Sequence, residues 1–473
     1  MTARPEASVQ PERLAPKGDS ERGVADEAAA RAWCQARRID DIECIIPDQA
    51  GVARGKLMPM PKFFGGNPMT LPASMFTQTI TGEYPEEEEA FLEGITDSDL
   101  VFRPDYSTLT VVPWASDPTA QVIHDAYHKD GLDFEIAPRN VLKRVVALYA
   151  ARGWQPVVAP EMEFFLVKPN IDPDYPLEPP VGRSGRPERA RQAYSITAVN
   201  EFEELFDDIY RFSEAQGLEI DTLNHEDGTA QMEINLRHGH PVELADQVFL
   251  FKRTIREAAL RHQMYATFMA KPIASEPGSA MHIHHSIMDA ETGRNIFADD
   301  GGERRTDAFL HHIGGLQTYL PRVMCMMSPY VNSYRRLVRN TSAPINVRWG
   351  YDNRTVGLRV PLSDPENRRV ENRIPSSDAN PYLAIAASLA CGYLGLVNQL
   401  PPDRAMEGAS RDPHFALPRS ILDAVRLLEN TPELVEIFGE TFVRTYRAIK
   451  ETEHETFMGV ISAWEREYLL LSV

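Results

Sequence analysis

Four short stretches of this chain alternate apolar side chains with groups that could do chemistry. In Gly278–Ser286, His282, His284 and Ser286 fall on one face of an extended chain. Met281 and Ile283 fall on the other, where His285 is the exception. Glu161 and Glu163 share a face of Pro160–Phe164. Gln231, Glu233 and Asn235 stand opposite Met232, Ile234 and Leu236, and Arg369, Glu371 and Arg373 line up in Arg369–Ile374. Side chains alternate faces along a strand, so each stretch predicts a strand with one polar face. Carboxylates, imidazoles and guanidiniums gathered on one sheet face are unfavourable unless cations and a polyanion fill the space between them.

Glu161, Glu163, Glu226, Glu233, His282 and Glu371 are the candidate metal ligands. Five carboxylates and one imidazole suit Mg²⁺ or Mn²⁺. No Cys or His cluster has the spacing of a zinc site. Any one glutamate alone reads equally well as a surface salt bridge; sharing a face with His282 and the arginines favours a site. Arg336, Arg354, Arg359, Arg369 and Arg373 concentrate in one stretch, and guanidinium forks suit carboxylate and phosphate. Arg335 and Arg368 read as ordinary surface residues. No Walker-type glycine loop occurs, so a nucleotide would be held by metals and arginines. Divalent metals with arginines are the parts of phosphoryl transfer. No Ser-His-Asp or Cys-His arrangement suggests a protein nucleophile.

The elements that must position these groups follow from pattern. Helices are expected at 28–38, 138–153, 200–216, 241–263, 308–327, 379–400 and 421–467. Strands are expected at 40–47, 74–81, 109–113, 121–127, 154–168, 231–236, 265–271, 280–288 and 355–361. The acidic run at 86–89 reads as a solvated loop. Residues 170–193 read as a long surface loop of the kind that often forms a lid. The fold class is α+β, with an antiparallel sheet flanked by helices.

The 473 residues suffice for two domains. Asp plus Glu number 69 against 49 Lys plus Arg, a net charge of -20, which argues against nucleic acid as a partner. No apolar run approaches the roughly 18 residues of a membrane span. Four scattered cysteines fit a reducing cytosol, hence a cytoplasmic protein. The first residues carry no apolar stretch, so no secretory signal is expected there. Residues 1–25 are expected to be a disordered extension.

The motifs PEMEFFL, EDGTAQMEIN, GSAMHIHHS, NSYRRL, DNRTVGLRV, RRVENR and ANPYL together resemble the glutamine synthetase family. Within it they resemble the γ-glutamylpolyamine or γ-glutamylputrescine synthetase branch, from about residue 38 to the end. The resemblance implies a β-grasp domain with a leading helix at 26–135 and a catalytic domain at 136–473. It implies one metal on Glu163, Glu226 and Glu233 and another on Glu161, His282 and Glu371. Arg336 and Arg373 would bind glutamate beside Gly278. Arg354, Arg359 and Arg369 would face phosphate, and His284 and Ser286 would line the nucleotide pocket. The implied reaction phosphorylates the γ-carboxyl of L-glutamate from ATP, and an amine then attacks, with Glu226 a candidate base. The implied assembly is a homo-oligomer, two stacked hexameric rings forming a dodecamer, with sites between subunits.

Two positions depart from ammonia-using members. Those carry a Glu where this chain has Ser342 and an Asp near Thr79. Both carboxylates help to bind and deprotonate ammonium, so their loss points to a primary amine such as putrescine. The alternatives are a true glutamine synthetase using ammonia and a non-catalytic ring-forming relative.

Overall fold

Runs rich in Ile, Val and Phe become the strands of two sheets among the described residues. The computed structural model describes residues 22–86, 97–298, 305–339, 343–410 and 416–473. The expected extension at 1–25 lies outside these but for residues 22–25, and the acidic run at 86–89 lies outside but for Glu86.

The first sheet holds β1 (Asp41–Pro47), β2 (Ala53–Pro59), β3 (Met69–Pro72), β4 (Asp99–Pro104), β5 (Thr110–Val111) and β6 (Thr119–Tyr127). Its order is β2-β1-β6-β4-β3, with β5 on β6. β1 pairs in parallel with β6 and antiparallel with β2. The second sheet holds β7 (Trp154–Val167), β8 (Ile220–His225), β9 (Gln231–Leu236), β10 (Tyr265–Thr267), β11 (Met281–Asp289), β12 (Trp349–Tyr351), β13 (Leu358–Val360) and β14 (Val370–Asn372). Its order is β12-β13-β14-β11-β7-β9-β8, with β10 on β7. It is antiparallel except where β12 runs parallel to β13.

The apolar back of the second sheet is fully buried at Met162, Phe164, Met232 and Ile283. Helices Pro138–Ala150, Pro241–Arg261 and Pro381–Val397 pack near it. Each begins with proline, which suits a first turn that needs no N–H partner. Pro381–Val397 is buried nearly all round and is accordingly apolar on every side. It crosses helix Asp307–Tyr319 so closely that a Cβ on Gly315 would lie 2.5 Å from the Gly395 Cα. His285 is indeed on the apolar side. It faces His312 Nε2 at 3.3 Å and Ser388 Oγ at 2.8 Å, and Asn372 donates to the same Oγ at 2.9 Å. Burial holds both imidazoles neutral, with His312 lowered to about 3.

Several expected elements differ. The strand expected at 74–81 is a 3₁₀ turn at Ala73–Phe76, followed by a tight turn closed by Thr79 N donating to Glu83 O at 2.8 Å. The neighbouring strand β3 is too short to show a period, whereas β4 alternates, with Leu100 and Phe102 buried, and is not among the expected strands. The helix expected at 308–327 breaks at Pro321, and the helical tail breaks at Pro432 and Gly439. The strands expected at 265–271 and 355–361 shrink to β10 and β13.

Arg139 joins the first sheet to the helices behind the second. Its guanidinium meets Asp105 and Asp125 at 2.6 Å and Asp246 at 2.8 Å, with 4% of the side chain exposed. Tyr382 also donates to Asp246, at 2.7 Å. Removing one partner of a buried ion network leaves the others uncompensated. Arg139→Ala should therefore destabilise the protein by about 3–5 kcal/mol, read from the midpoint of chemical unfolding. A loss below about 1 kcal/mol would show the cluster to act as a surface pair does.

Candidate active site

β11 is the axis of the site because it lies between β14 and β7. Register sets His282 opposite Glu161 and His284 opposite Glu371. It also sets Glu163 opposite Glu233, and Glu371 opposite Arg359. Facing residues in a ladder point to the same side, so these seven side chains share one sheet face.

The contacts follow from that register. Glu161 meets His282 Nδ1 at 3.2 Å and His284 Nε2 at 2.8 Å. Arg369 donates from Nε to His284 Nδ1 at 3.2 Å, so the His284 proton sits on Nε2, toward Glu161. Arg359 donates to Glu371 at 2.7 Å and to Asp352 at 2.8 Å. Arg373 also donates to Glu371. Arg336 is buried and donates to the carbonyls of Ile374 and Arg373, at 2.8 and 3.0 Å. Gly278 lies against it: a Cβ there would stand 2.6 Å from Arg336 Cγ and from Ala270 O.

Ligand atoms of Glu161, His282 and Glu371 lie within 4.8 Å of one another, and so do those of Glu163, Glu233 and His282. Glu226 is half-buried on the turn after β8 and hydrogen-bonded to Glu233. His282 stands between the groups, and burial followed by the Arg373 charge lowers it to about 4. A neutral imidazole has one free lone pair and can serve one cation, so the other group needs Glu226.

The electrostatics ask for cations. Burial and then the Glu226 charge push Glu163 up to about 8. Burial and then Glu161, Glu163 and Glu226 push Glu233 up to about 9. Glu226 is also raised, mainly by burial. Burial opposes ionisation of Glu161 too, but hydrogen bonds from His282 and His284 hold it well below the usual carboxylate range. Nearby polar atoms lack partners: Asn235 Oδ1, Arg359 Nε and Arg373 Nε are buried with none. Crowded carboxylates and unpaired donors fit divalent cations beside an anion.

A cavity of about 470 Å³ opens at one end of this face, lined by Glu161, Asn235, His284, Ser286, Asn367 and Arg369. Arg354 is exposed and reaches the Tyr194 hydroxyl at 3.3 Å. Arg335 is exposed and Arg368 half-buried. Thr79 is buried, and its hydroxyl bonds Thr81 and Glu83 in its own turn. Ser342 lies outside the described residues. Sequence reasoning missed Asp352, which aims Arg359, and Asn367 at the cavity wall. Asp352 has a φ of 44°, a left-handed conformation suited to a short polar side chain, and its DNR context was the available signal.

The family described as "Glutamine synthetase, catalytic domain" matches residues 135–469. The chain is similar to the γ-glutamylputrescine synthetase PuuA of Escherichia coli (strain K12), 34% identical over 98% of each chain. It is also similar to a glutamine synthetase of Pyrococcus abyssi (strain GE5 / Orsay), 34% identical over 84% of this chain and 88% of that one. Its fold is similar to the solved apo structure of GmaS, with a TM-score of 0.79 and 27% identity over 93% of this chain and 99% of that one.

The raised carboxylates have a measurable consequence. A group whose folded pKa lies above its unfolded value adds stability below the unfolded pKa and loses it as pH rises through the folded one. For Glu163 and Glu233, metal-free protein should therefore lose thermal stability between about pH 5 and about pH 9. Mn²⁺ needs the ionised forms, so it should restore stability and bind more tightly as pH rises. Thermal midpoints across this range, with EDTA or with Mn²⁺, are the check; a flat metal-free profile removes the crowding argument.

Proposed function

The chain belongs to the glutamine synthetase family, and on that footing we propose that it is an ATP-dependent ligase joining the γ-carboxyl of L-glutamate to a primary amine. A polyamine such as putrescine is the proposed amine. The observation that carries this reading is the single charged sheet face, with acidic groups arranged for divalent cations beside a cavity that holds His284, Ser286 and Arg369. The division into units at 26–135 and 136–473 is part of the proposal.

Two Mg²⁺ or Mn²⁺, on Glu163, Glu226 and Glu233 and on Glu161, His282 and Glu371, would supply charge neutralisation for the transferring phosphoryl group. Arg336 and Arg373 grip the glutamate carboxylates, with clearance left by Gly278. Arg354, Arg359 and Arg369 take phosphate oxygens, and Asp352 holds Arg359 in its orientation. His284 and Ser286 line the nucleotide end. The γ-glutamyl phosphate then meets the amine, and Glu226 is the proposed base.

Thr79 and Ser342 support an amine over ammonia. A hydroxyl neither neutralises a small cation nor takes its proton at neutral pH. The ammonia-using reading keeps one observation in its favour, the equal identity to the Pyrococcus abyssi glutamine synthetase. A non-catalytic relative predicts decayed ligands, whereas every implied metal ligand and arginine is present in the sequence. Homo-oligomerisation is supported by the last helix, Ala463–Leu469, which has no buried residue, and by the exposed Trp464, Leu470 and Leu471; two stacked hexameric rings are the form that the resemblance implies. The cysteines are free and buried, which suits a cytoplasmic protein. No helix of the described residues is long and apolar enough to cross a membrane.

Incubation with glutamate, ATP, Mg²⁺ and a panel of amines tests the reading through phosphate release. The best primary amine should exceed ammonia in kcat/KM by about a hundredfold, ~2.7 kcal/mol in transition-state binding. Ser342→Glu should narrow that ratio. A wild type that prefers ammonia would make this a glutamine synthetase.

Arg336 generates a second test. Lys offers a point charge where Arg offers a two-pronged fork. Arg336→Lys should therefore raise KM for glutamate much more than KM for ATP. Equal rises for both substrates would take this arginine out of the glutamate site.

A further inference from the structure

The segment 168–195 runs from the end of β7 to the helix at Ile196 with no helix or strand of its own. It is fastened at Glu188. That carboxylate points inward, with 8% of the side chain exposed. Its Oε2 accepts from Ala230 N at 2.7 Å and meets His225 Nε2 at 3.0 Å, and its Oε1 accepts from Gln192 at 3.1 Å.

His225 is fully buried and carries the contact onward. Its Nδ1 meets the Glu226 carbonyl at 2.6 Å, and its own carbonyl accepts from Tyr194 N at 2.9 Å. Both ring nitrogens face acceptors, so the ring bridges the Glu188 carboxylate and the Glu226 carbonyl. Ala230 sits at a φ of 53°, which disfavours a residue with a Cβ, and its N–H is the one that Glu188 captures. The turn between His225 and Ala230 carries Glu226, and Tyr194 at the end of the segment touches Arg354.

We infer that Glu188 is a positioning residue for the ligase reaction. It fastens the 168–195 segment to the His225–Ala230 turn and so fixes where the Glu226 carboxylate stands beside Glu233. The inference rests on the function proposed above. Groups that orient metal ligands from behind typically contribute ten- to a hundredfold in metal affinity or activity.

The test uses the full chain, with Glu188→Ala and Glu188→Gln beside wild type. The glutamine keeps an acceptor for Ala230 N–H and removes the carboxylate charge facing His225, together with the acceptor for Gln192. Three readouts are taken: tryptic cleavage after Arg183, Arg189 and Arg191, titration with Mn²⁺ alone, and kinetics with glutamate, ATP and the best amine. For Glu188→Ala, cleavage should accelerate, while Mn²⁺ affinity and kcat should each fall by about ten- to a hundredfold with KM for ATP unchanged. Glu188→Gln should fall in between, and it carries the same readouts if the alanine variant loses its circular dichroism signal. Faster cleavage with wild-type Mn²⁺ binding and kcat would overturn the inference, leaving a loop anchor; unchanged cleavage would overturn it too. If wild type ligates no amine, the proposed function fails, whereas Mn²⁺ binding and cleavage still decide the role of Glu188.

Discussion

The mutual repulsion of carboxylates on one strand face is the constraint that the rest of this molecule answers. Glu161, Glu163, Glu226 and Glu233 act on one another's ionisation, and burial sharpens the effect. Left alone, such a group keeps protons it would lose in water. The fold offers partial relief: a hydrogen bond from His284 to Glu161, and the cations Arg359 and Arg373 against Glu371. Relief is uneven, since Glu161 and Glu371 are held ionised while Glu163 and Glu233 are not. That unevenness marks which part of the face is short of positive charge.

Keeping these groups together requires a rigid support. An antiparallel ladder fixes which residue faces which, and a slip of one position would send every charged group into the apolar back. The back prevents this slip by being packed under three long helices. The Arg139 cluster then ties that layer to the first sheet. The polar link through His285, Ser388 and Asn372 joins β11 to β14 from behind, and those strands carry His282, His284 and Glu371.

Much of the face was legible because strand alternation is a local property. Glu161, Glu163, His282, His284, Glu371 and Arg373 could be assigned to one side from parity alone. Their pairing was not legible, since register depends on which strands become neighbours. The order β14-β11-β7-β9 joins stretches separated by long insertions. The turn around Thr79 was misread as a strand because its hydrogen bonds close within a few residues, which leaves no period to detect. Helix breaks at Pro321, Pro432 and Gly439 were visible in principle, and apolar periodicity on either side masked them. Glu188 gave no signal, because an inward carboxylate in an irregular segment looks like any surface glutamate.

Glu371 has two carboxylate oxygens, and each already accepts from a guanidinium: Oε1 from Arg373 and Oε2 from Arg359. An oxygen shared with a cation is a poorer acceptor, so each arginine gains freedom as positive charge arrives. The freed forks are then available to an anion. Linkage is reciprocal, so an anion that engages the arginines must strengthen the hold of Glu371 on a cation by the same factor. A carboxylate shared between two arginines and a cation would thus couple the two loads, each favouring the other.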